Sequence, residues 1–165
     1  MSKPLNILVV RFSSIGDIVL TTPLIRCLKL QLAAEIDFLT KSTYKEVVVS
    51  NPNIREVITV TKGSNKIRVL RKKKYDFVID LQNNIRSFKV RFFLGVKSYV
   101  ISKETFKRYV LIYFGINLLT NHVVERYFKT VKNLNVYNDK MGVDYSVSTK
   151  PPKLGFNEKQ DYICW

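Results

Sequence analysis

The sequence has few of the residues that build disulfide frameworks and metal sites. Its 165 residues include two cysteines and one histidine. Cys27 falls in a predicted helix and Cys164 stands next to the last residue, a spacing that suits neither a disulfide framework nor a metal site. We expect reduced, packed thiols. The single His122 excludes sites that need several imidazoles, including most zinc sites, and we expect no metal and no cofactor.

Long hydrophobic runs are also missing. No window approaches the roughly 18 apolar residues that a membrane-spanning helix needs, so we expect no segment that crosses a bilayer. The apolar run near the amino terminus is short and leads directly into turn residues, unlike a secretory signal. We therefore place the chain in the cytoplasm.

Acidic residues are scarce relative to basic ones. The sequence has 13 Asp and Glu against 28 Lys and Arg, which gives a formal net charge of +15. Such an excess attracts phosphates on nucleic acid, on an anionic membrane face or on a phosphorylated glycolipid. The charge indicates an anionic partner but does not identify it.

Apolar runs alternate with helical patterns along most of the chain. Continuous apolar runs bounded by turn residues are typical of strands buried on both faces of a parallel sheet. The predicted strands are Leu5–Arg11, Glu35–Thr40, Arg55–Val60, Tyr75–Gln82 and residues 96–102. The pattern predicts an α/β fold, a Rossmann-like and mostly parallel sheet with helices on both faces.

The first helix contains Pro23, which fits poorly in a helix that starts at Asp17. The sequence predicts either a kinked helix or a short leading turn followed by a helix with Pro23 in its first position. Farther along, "NNIRSFKVRFFLG" predicts a helix that ends at Gly95. Aromatic stripes predict two more helices, over Lys103–Ile116 and His122–Leu134.

The last part of the sequence loses this regularity. Pro151 and Pro152 mark an extended passage that is typical of an interdomain connector. The closing "DYICW" resembles the start of another apolar strand. We therefore divide the chain into a domain at residues 1–137, a linker at 138–160 and the start of a truncated second domain at 161–165.

Two loops at the carboxyl ends of predicted strands carry the candidate site residues. In "SSIGD", Gly16 permits a sharp turn while Ser14 or Asp17 caps the next helix; alternatively, the exposed amides hold a substrate and Asp17 accepts a proton from its hydroxyl. Neither the dinucleotide-binding nor the phosphate-loop glycine pattern is present.

The second loop, "DLQNNIRS", also allows two interpretations. It is either a polar turn with a solvated Arg86, or a set of donors from Asn84, Arg86 and Ser87 that bind an anionic sugar or phosphate. Other basic residues are either part of a solvated surface or part of an anion site. They are the segment Lys62–Lys74 and, on predicted helices, His122 with Arg126 and Lys103 with Lys107 and Arg108.

Three stretches together, "ILVVRFSSIGDIVLTTP", "YDFVIDLQNNIRS" and "HVVERY", resemble the amino-terminal half of the lipopolysaccharide heptosyltransferases of glycosyltransferase family 9. The resemblance runs from about Leu5 to about Tyr137. It implies the GT-B architecture, in which two Rossmann-like domains face each other across a cleft. The first domain holds mainly the acceptor and the second holds the nucleotide-sugar, so the ADP-heptose site and any catalytic Lys of the second domain would lie outside this chain.

The resemblance also implies roles for individual residues. Asp17 would be the general base that deprotonates an acceptor hydroxyl as heptose is transferred from ADP-heptose with inversion and loss of ADP. The acceptor-binding residues would be Ser13, Ser14, Gly16, Asn84, Arg86, Ser87, Lys107, Arg108 and Arg126. The segment Gln82–Asn84 departs from the Asp-Leu-His and Asp-Ala-Gln-Gly versions of relatives, and the acceptor sugar is a Kdo, an earlier heptose or another glycan.

A glycolipid acceptor would place such an enzyme at the anionic inner face of the inner membrane. The truncated chain would be inactive by itself and would not bind nucleic acid. The alternative is a non-enzymatic basic α/β module for nucleic acid, with Tyr44, Tyr75 and Tyr99 as stacking platforms. A basic pocket focused on Asp17 would favour glycosyl transfer, whereas a long groove with exposed aromatics would favour nucleic acid.

Overall fold

The computed structural model describes residues 3–60, 66–102 and 122–145, in which strands and helices alternate in the predicted order. The strands are β1 Asn6–Val10, β2 Glu35–Lys41, β3 Glu56–Val60, β4 Phe77–Asp80 and β5 Lys97–Val100. The α-helices are α1 Ile15–Val19, α2 Thr22–Leu32, α3 Lys66–Lys72, α4 Ile85–Leu94 and α5 Val123–Thr130, and 3-10 turns cover Ser42–Val47 and Lys132–Leu134.

The five strands form one parallel sheet in the order β3-β2-β1-β4-β5. The order runs outward in two directions from β1, so β1 and β4 lie side by side although two strands separate them in sequence. In such a sheet, ligands bind outside the carboxyl ends of the strands at this switch point. The loops that follow β1 and β4 therefore meet where the fold favours a binding site.

Alternate residues of the strands feed two apolar cores. Ile7 and Val9 of β1 pack in one core with α1, α2 and α5, whereas Leu8 and Val10 pack in the other with α3 and α4. Because successive side chains of a strand point to opposite faces, both faces of the sheet are covered by helices. The predicted fold class is confirmed.

Pro23 separates two helices instead of kinking one. Helix α1 ends at Val19, and α2 begins at Thr22 with Thr21 as its N-cap and Pro23 in its first turn. A proline is favourable there because the first amides of a helix have no intrahelical partner. The second of the two predicted alternatives, a short leading turn, is the one that the structure adopts.

Helix α4 begins and ends at the predicted signals. Asn84 is its N-cap, and Gly95 ends it in the left-handed conformation with a φ of 65°. The helix predicted over His122–Leu134 is split into α5 and a 3-10 turn, and the His122 Nδ1 accepts a hydrogen bond from the Val124 amide. The helix predicted over Lys103–Ile116 lies outside the described residues.

The segment after α5 packs back onto the domain. Arg26 of α2 is buried and forms ion pairs with Asp139, at 2.7 Å, and with Asp144. The Asp144 amide also donates a hydrogen bond to the Thr22 hydroxyl at 2.8 Å. Most of the predicted linker and all of the predicted second domain lie outside the described residues, so the domain division stays a prediction.

The described helices are short. Within residues 3–60, 66–102 and 122–145, no helix is long and apolar enough to cross a membrane. Cys27 is a buried free thiol, as predicted, and Cys164 lies outside these residues.

Candidate functional site

The loops after β1 and β4 are tied to each other at the carboxyl edge of the sheet. The Phe12 amide donates a hydrogen bond to the Gln82 side-chain oxygen at 2.8 Å, and the Arg11 Nη1 donates to the Leu81 carbonyl. Both contacts join residues 70 positions apart in sequence. The two candidate loops therefore form one unit.

Asp17 lies in the first turn of α1, and its two carboxylate oxygens differ in their contacts. Oδ2 accepts hydrogen bonds from Arg11 Nη2 at 2.6 Å, from the Ser14 amide at 3.3 Å and from the Ser14 hydroxyl at 3.2 Å. No hydrogen bond from the described parts of the chain reaches Oδ1. About a third of the side chain, 33%, is exposed. One oxygen thus anchors the carboxylate, and the other is available to a ligand.

The surroundings of Asp17 keep it ionised. Partial burial alone would raise its pKa, but the Arg11 charge and the hydrogen bonds from Ser14 and Arg11 outweigh that effect and lower the pKa below its usual value. A carboxylate that accepts charge-assisted hydrogen bonds is stabilised in its charged form. Asp17 is therefore negatively charged at neutral pH and is a weak base.

Helix α5 supports the Asp17 turn from the other side. The Tyr127 hydroxyl is buried and donates a hydrogen bond to the Asp17 backbone carbonyl at 3.2 Å. Burial raises the pKa of Tyr127 to about 12, while the nearby Arg11 and Arg126 charges oppose the rise. Arg126 donates a hydrogen bond to the Ser102 carbonyl at 2.8 Å. The "HVVERY" stretch therefore positions α1 through Tyr127, whereas Arg126 contacts Ser102, just beyond β5.

An open pocket of about 470 Å³ lies beside this unit. It is lined by Phe12, Ser13, Lys41, Asn84, Ile85 and Arg86. Lys41 ends β2, and the Arg86 guanidinium lies 5.7 Å from the centre of the Phe12 ring. Two cations from different elements thus face the pocket, whereas Ser14 and Asp17 are not among the residues that line it. This composition suits an anionic or polar ligand.

Gly16 does not lie at the sharp turn that the sequence analysis expects. It lies inside α1 without a positive φ, and a Cβ at this position would meet no atom within 4 Å. Because Gly16 has an ordinary helical backbone, the interpretation of Gly16 as the residue that permits a sharp turn is wrong. The glycine leaves open space beside Asp17 instead.

Asn84 and Ser87 form a reciprocal helix cap. The Ser87 amide donates to Asn84 Oδ1, and the Asn84 amide donates to the Ser87 hydroxyl, both at 2.9 Å. Ser87 is fully buried and its hydroxyl donates back to the Asn84 carbonyl, whereas Asn84 is exposed at the pocket. Their role as ligands of an anion stays a prediction, and the structure accounts for both residues as a cap.

A buried carboxylate shapes the same loop. Asp80 ends β4, and its Oδ1 accepts hydrogen bonds from the Gln82 and Asn83 amides at 3.0 and 2.8 Å. Asn83 has a φ of 49° and donates from its side chain to the Ile101 carbonyl. These contacts hold the loop just before Asn84 and Arg86, which line the pocket.

The structure brings together part of the predicted site and adds residues to it. Lys107 and Arg108 lie outside the described residues. The sequence interpretation missed Arg11, Lys41 and Tyr127. Arg11 and Lys41 are both basic residues at the carboxyl ends of apolar strands, a local signal that could have identified them.

The tyrosines count against a nucleic-acid groove. Tyr75 is buried and its hydroxyl donates to the buried Asp37 at 2.7 Å. Tyr99 packs edge-on against Phe77, with ring centres 5.4 Å apart, and Lys41 lies over the Tyr44 ring. A stacking platform needs an exposed ring face, which Tyr75 does not offer.

The described ranges also contain no group of three or more His, Cys, Asp and Glu that could hold a metal ion. The site offers the ionised Asp17 carboxylate, the pocket cations Lys41 and Arg86, and hydroxyl or amide donors.

Comparisons of the fold identify similar solved structures. A glycosyl transferase family 9 structure from Veillonella parvula matches with a TM-score of 0.65 and 20% identity, over 87% of this chain and 46% of that one. E. coli heptosyltransferase WaaC with ADP matches with a TM-score of 0.61 and 20% identity, over 87% and 51%. E. coli ADP-heptose lps heptosyltransferase II matches with a TM-score of 0.53 and 23% identity, over 62% and 36%.

These likenesses show that the chain has the fold of a Rossmann-like domain found in glycosyltransferases. The chain spans about half the length of the Veillonella and WaaC structures. A scan against protein-family models finds no match, and a search of curated proteins finds none either.

Proposed function

We propose that the chain is the acceptor-binding half of an inverting glycosyltransferase that transfers heptose from ADP-heptose to a lipopolysaccharide core acceptor, with Asp17 as the general base. The fold supports this proposal, because the similar solved structures include heptosyltransferases with ADP and with an ADP-heptose analogue. The nucleotide-sugar would bind to the other half of the enzyme.

The observation that carries the proposal is the unequal use of the Asp17 carboxylate. Oδ2 is held by Arg11 and Ser14, and Oδ1 is left to accept a hydrogen bond from a ligand hydroxyl. A general base must be oriented and must reach the proton that it removes. Arg11 and Ser14 orient the carboxylate, and the pocket that would hold the acceptor is lined by Ser13, four positions before Asp17.

The proposed transfer step assigns one role to each reacting group. The acceptor hydroxyl oxygen attacks the anomeric carbon of heptose from the face opposite to ADP and forms the new C–O bond. The bond between that carbon and the β-phosphate oxygen breaks, and ADP leaves with its electron pair. Since the pKa of Asp17 is low, its Oδ1 takes the hydroxyl proton late, when the attacking oxygen is already partly bonded to carbon and more acidic.

The pocket cations would bind the acceptor. Lys41 and Arg86 come from β2 and α4 and face the same space as Ser13, so they can hold carboxylates or phosphates of an inner-core sugar. Arg126, and Lys107 or Arg108, would extend this binding surface. A Kdo or a phosphorylated heptose carries the negative charge that the pocket requires.

The proposed acceptor is a glycolipid, so the enzyme would work in the cytoplasm at the inner face of the inner membrane. The net charge of +15 favours attraction to that anionic surface.

The test is a transfer assay with the full-length enzyme, ADP-heptose and a heptose-deficient lipid acceptor. We expect ADP release, and we expect Asp17→Asn to abolish it while the circular dichroism spectrum stays unchanged. Asp76→Asn is the matched control, because Asp76 is exposed at the opposite edge of the sheet, where it accepts a hydrogen bond from the Asn6 amide. Turnover of the Asp17→Asn variant at the wild-type rate would remove Asp17 from the mechanism.

A further inference from the structure

Helix α4 carries large apolar side chains on the side that faces away from the core. Ile85, Phe88 and Phe92 are 79%, 54% and 79% exposed, and their spacing of three and four residues places them in one row. Ser87 and Val90 are the buried residues of the helix. The rings of Phe88 and Phe92 stack with centres 6.2 Å apart. We call Ile85, Phe88 and Phe92 the apolar row.

The apolar row is unusual for a helix on the surface of a folded domain. Such a helix normally turns an apolar stripe to the core and charged residues to water. Here both sides of α4 bear apolar residues. Exposed clusters of large apolar side chains mark sites of interaction with a protein or a membrane.

Helices α3 and α4 carry basic side chains and no acidic ones. The two helices cover the same face of the sheet. The Arg71 guanidinium lies 5.3 Å from the centre of the Phe93 ring of α4. The exposed cations on the two helices are Arg68, Arg71, Lys72, Arg86 and Lys89. We call the apolar row and these cations the α3–α4 face.

We propose that the α3–α4 face docks on an anionic lipid bilayer, with the apolar row inserted among the headgroups. Exposed phenylalanines beside lysines and arginines are the composition of helices that lie in a membrane interface. Each arginine or lysine near the surface also gains attraction from anionic lipids. The partner is therefore a lipid surface, selected both by its apolar interior and by its charge.

The position of the face fits the proposed acceptor. Ile85 belongs to the apolar row and also lines the pocket, together with Arg86. The rim of the pocket is thus continuous with the docking surface. A glycolipid could place its sugars in the pocket while its acyl chains stay in the bilayer. Only this step depends on the proposed function.

A second copy of the chain is a less suitable occupant. Two α3–α4 faces in contact would bring two sets of cations together without any acid from either helix, and like charges across an interface are unfavourable. Self-association is therefore an outcome of the test that would overturn the proposal.

The experiment is co-sedimentation of the chain with lipid vesicles. We expect binding to vesicles of phosphatidylcholine mixed with phosphatidylglycerol and little binding to phosphatidylcholine alone. In the double variant Phe88→Gln with Phe92→Gln, binding should weaken by at least about tenfold, since one buried aromatic side chain alone corresponds to roughly that change. Both side chains are exposed, so the variant should fold.

A matched control replaces two exposed apolar side chains outside the α3–α4 face by the same polar residue. Leu30 and Met141 are 69% and 75% exposed and do not belong to α3 or α4, so Leu30→Gln with Met141→Gln should bind vesicles like the wild type. Arg68→Ser with Lys89→Ser should weaken binding to anionic vesicles and make it less sensitive to salt.

Three results would overturn the inference. These are equal vesicle binding by the phenylalanine variant and the wild type, equal binding to neutral and anionic vesicles, and a dimer in sedimentation velocity that the phenylalanine variant abolishes. Vesicle binding by the chain, together with a full-length enzyme that transfers no heptose, would leave the inference standing and overturn the proposed function. If the full-length enzyme transfers heptose to a lipid acceptor but the phenylalanine variant binds vesicles like the wild type, the proposed function stands and this inference is overturned.

Discussion

The Tyr127 hydroxyl donates a hydrogen bond to the backbone carbonyl of Asp17, at 3.2 Å and across 110 positions of sequence. Because Tyr127 is fully buried on α5, the contact fixes the main chain of α1 relative to the core. The Arg11 side chain holds the carboxylate of the same residue at 2.6 Å. Asp17 is thus held both through its main chain and through its side chain.

Tyr127→Phe should loosen α1 without changing any charge. The variant loses one buried hydrogen bond, so the free energy of unfolding should fall by about 1 kcal/mol, as measured by urea denaturation. In the full-length transferase we expect kcat to fall while KM for ADP-heptose stays the same. Tyr137→Phe is the control, since Tyr137 is exposed. A wild-type kcat in a destabilised Tyr127→Phe variant would show that the reaction does not need this contact.

Arg11→Gln should shift the pH dependence of transfer. Arg11 lowers the pKa of Asp17, so the ionised base persists to low pH and is lost only as the pH falls through that lowered value. Without the cation the pKa rises, and the acid limb of the kcat/KM profile should move to higher pH. Lys45→Gln, at an exposed cation on the 3-10 turn after β2, should leave the limb in place. An unmoved limb in Arg11→Gln would mean that Asp17 is not the titrating base.

Gly16→Ala should separate stability from activity. An alanine inside a helix is more favourable than glycine by roughly 0.5–1 kcal/mol, and a Cβ at Gly16 meets no atom, so the variant should be at least as stable as the wild type. The added methyl group would occupy the space beside Asp17, and we expect KM for the acceptor to rise. Thermal unfolding and acceptor titrations measure the two effects. Unchanged acceptor kinetics would place the ligand elsewhere.

Lys41→Ala and Arg86→Ala should each weaken acceptor binding. A hydrogen bond to a charged group contributes about 1.5–3 kcal/mol, so KM for a phosphorylated or carboxylated acceptor should rise by roughly tenfold or more, with a smaller change in kcat. Lys132→Ala removes an exposed cation after α5 and is the control. Equal acceptor KM values in all three variants would exclude the pocket as the acceptor site.

The order of strands and helices could be predicted because it depends on local patterns. Apolar runs identified all five strands to within about two residues at each end, and Gly95 marked the end of α4 correctly. The cap formed by Asn84 and Ser87 also has a local signal, three residues of spacing, whereas the sequence analysis considers only a polar turn or a ligand site for this loop. A small polar residue at the start of a helix can cap the helix or bind a ligand. For Ser87, burial in the structure favours the cap.

The residues that escaped prediction act over long distances in sequence. Arg11 falls at the end of a predicted strand, and its contact with the Leu81 carbonyl spans 70 positions. Tyr127 belongs to a predicted aromatic stripe and its ring is buried, but its hydroxyl also supports Asp17. Such contacts depend on how the sheet is ordered, which one sequence does not specify.

The contact between Arg11 and the main-chain oxygen of Leu81 bears on how the proposed transferase would diversify. A bond to a carbonyl does not constrain the side chain at that position, and the exposed rim residues Asn84 and Arg86 are not needed to hold Arg11. Under the proposed function, exchange of the rim residues would therefore change the acceptor preference while the contacts that hold Asp17 stay the same.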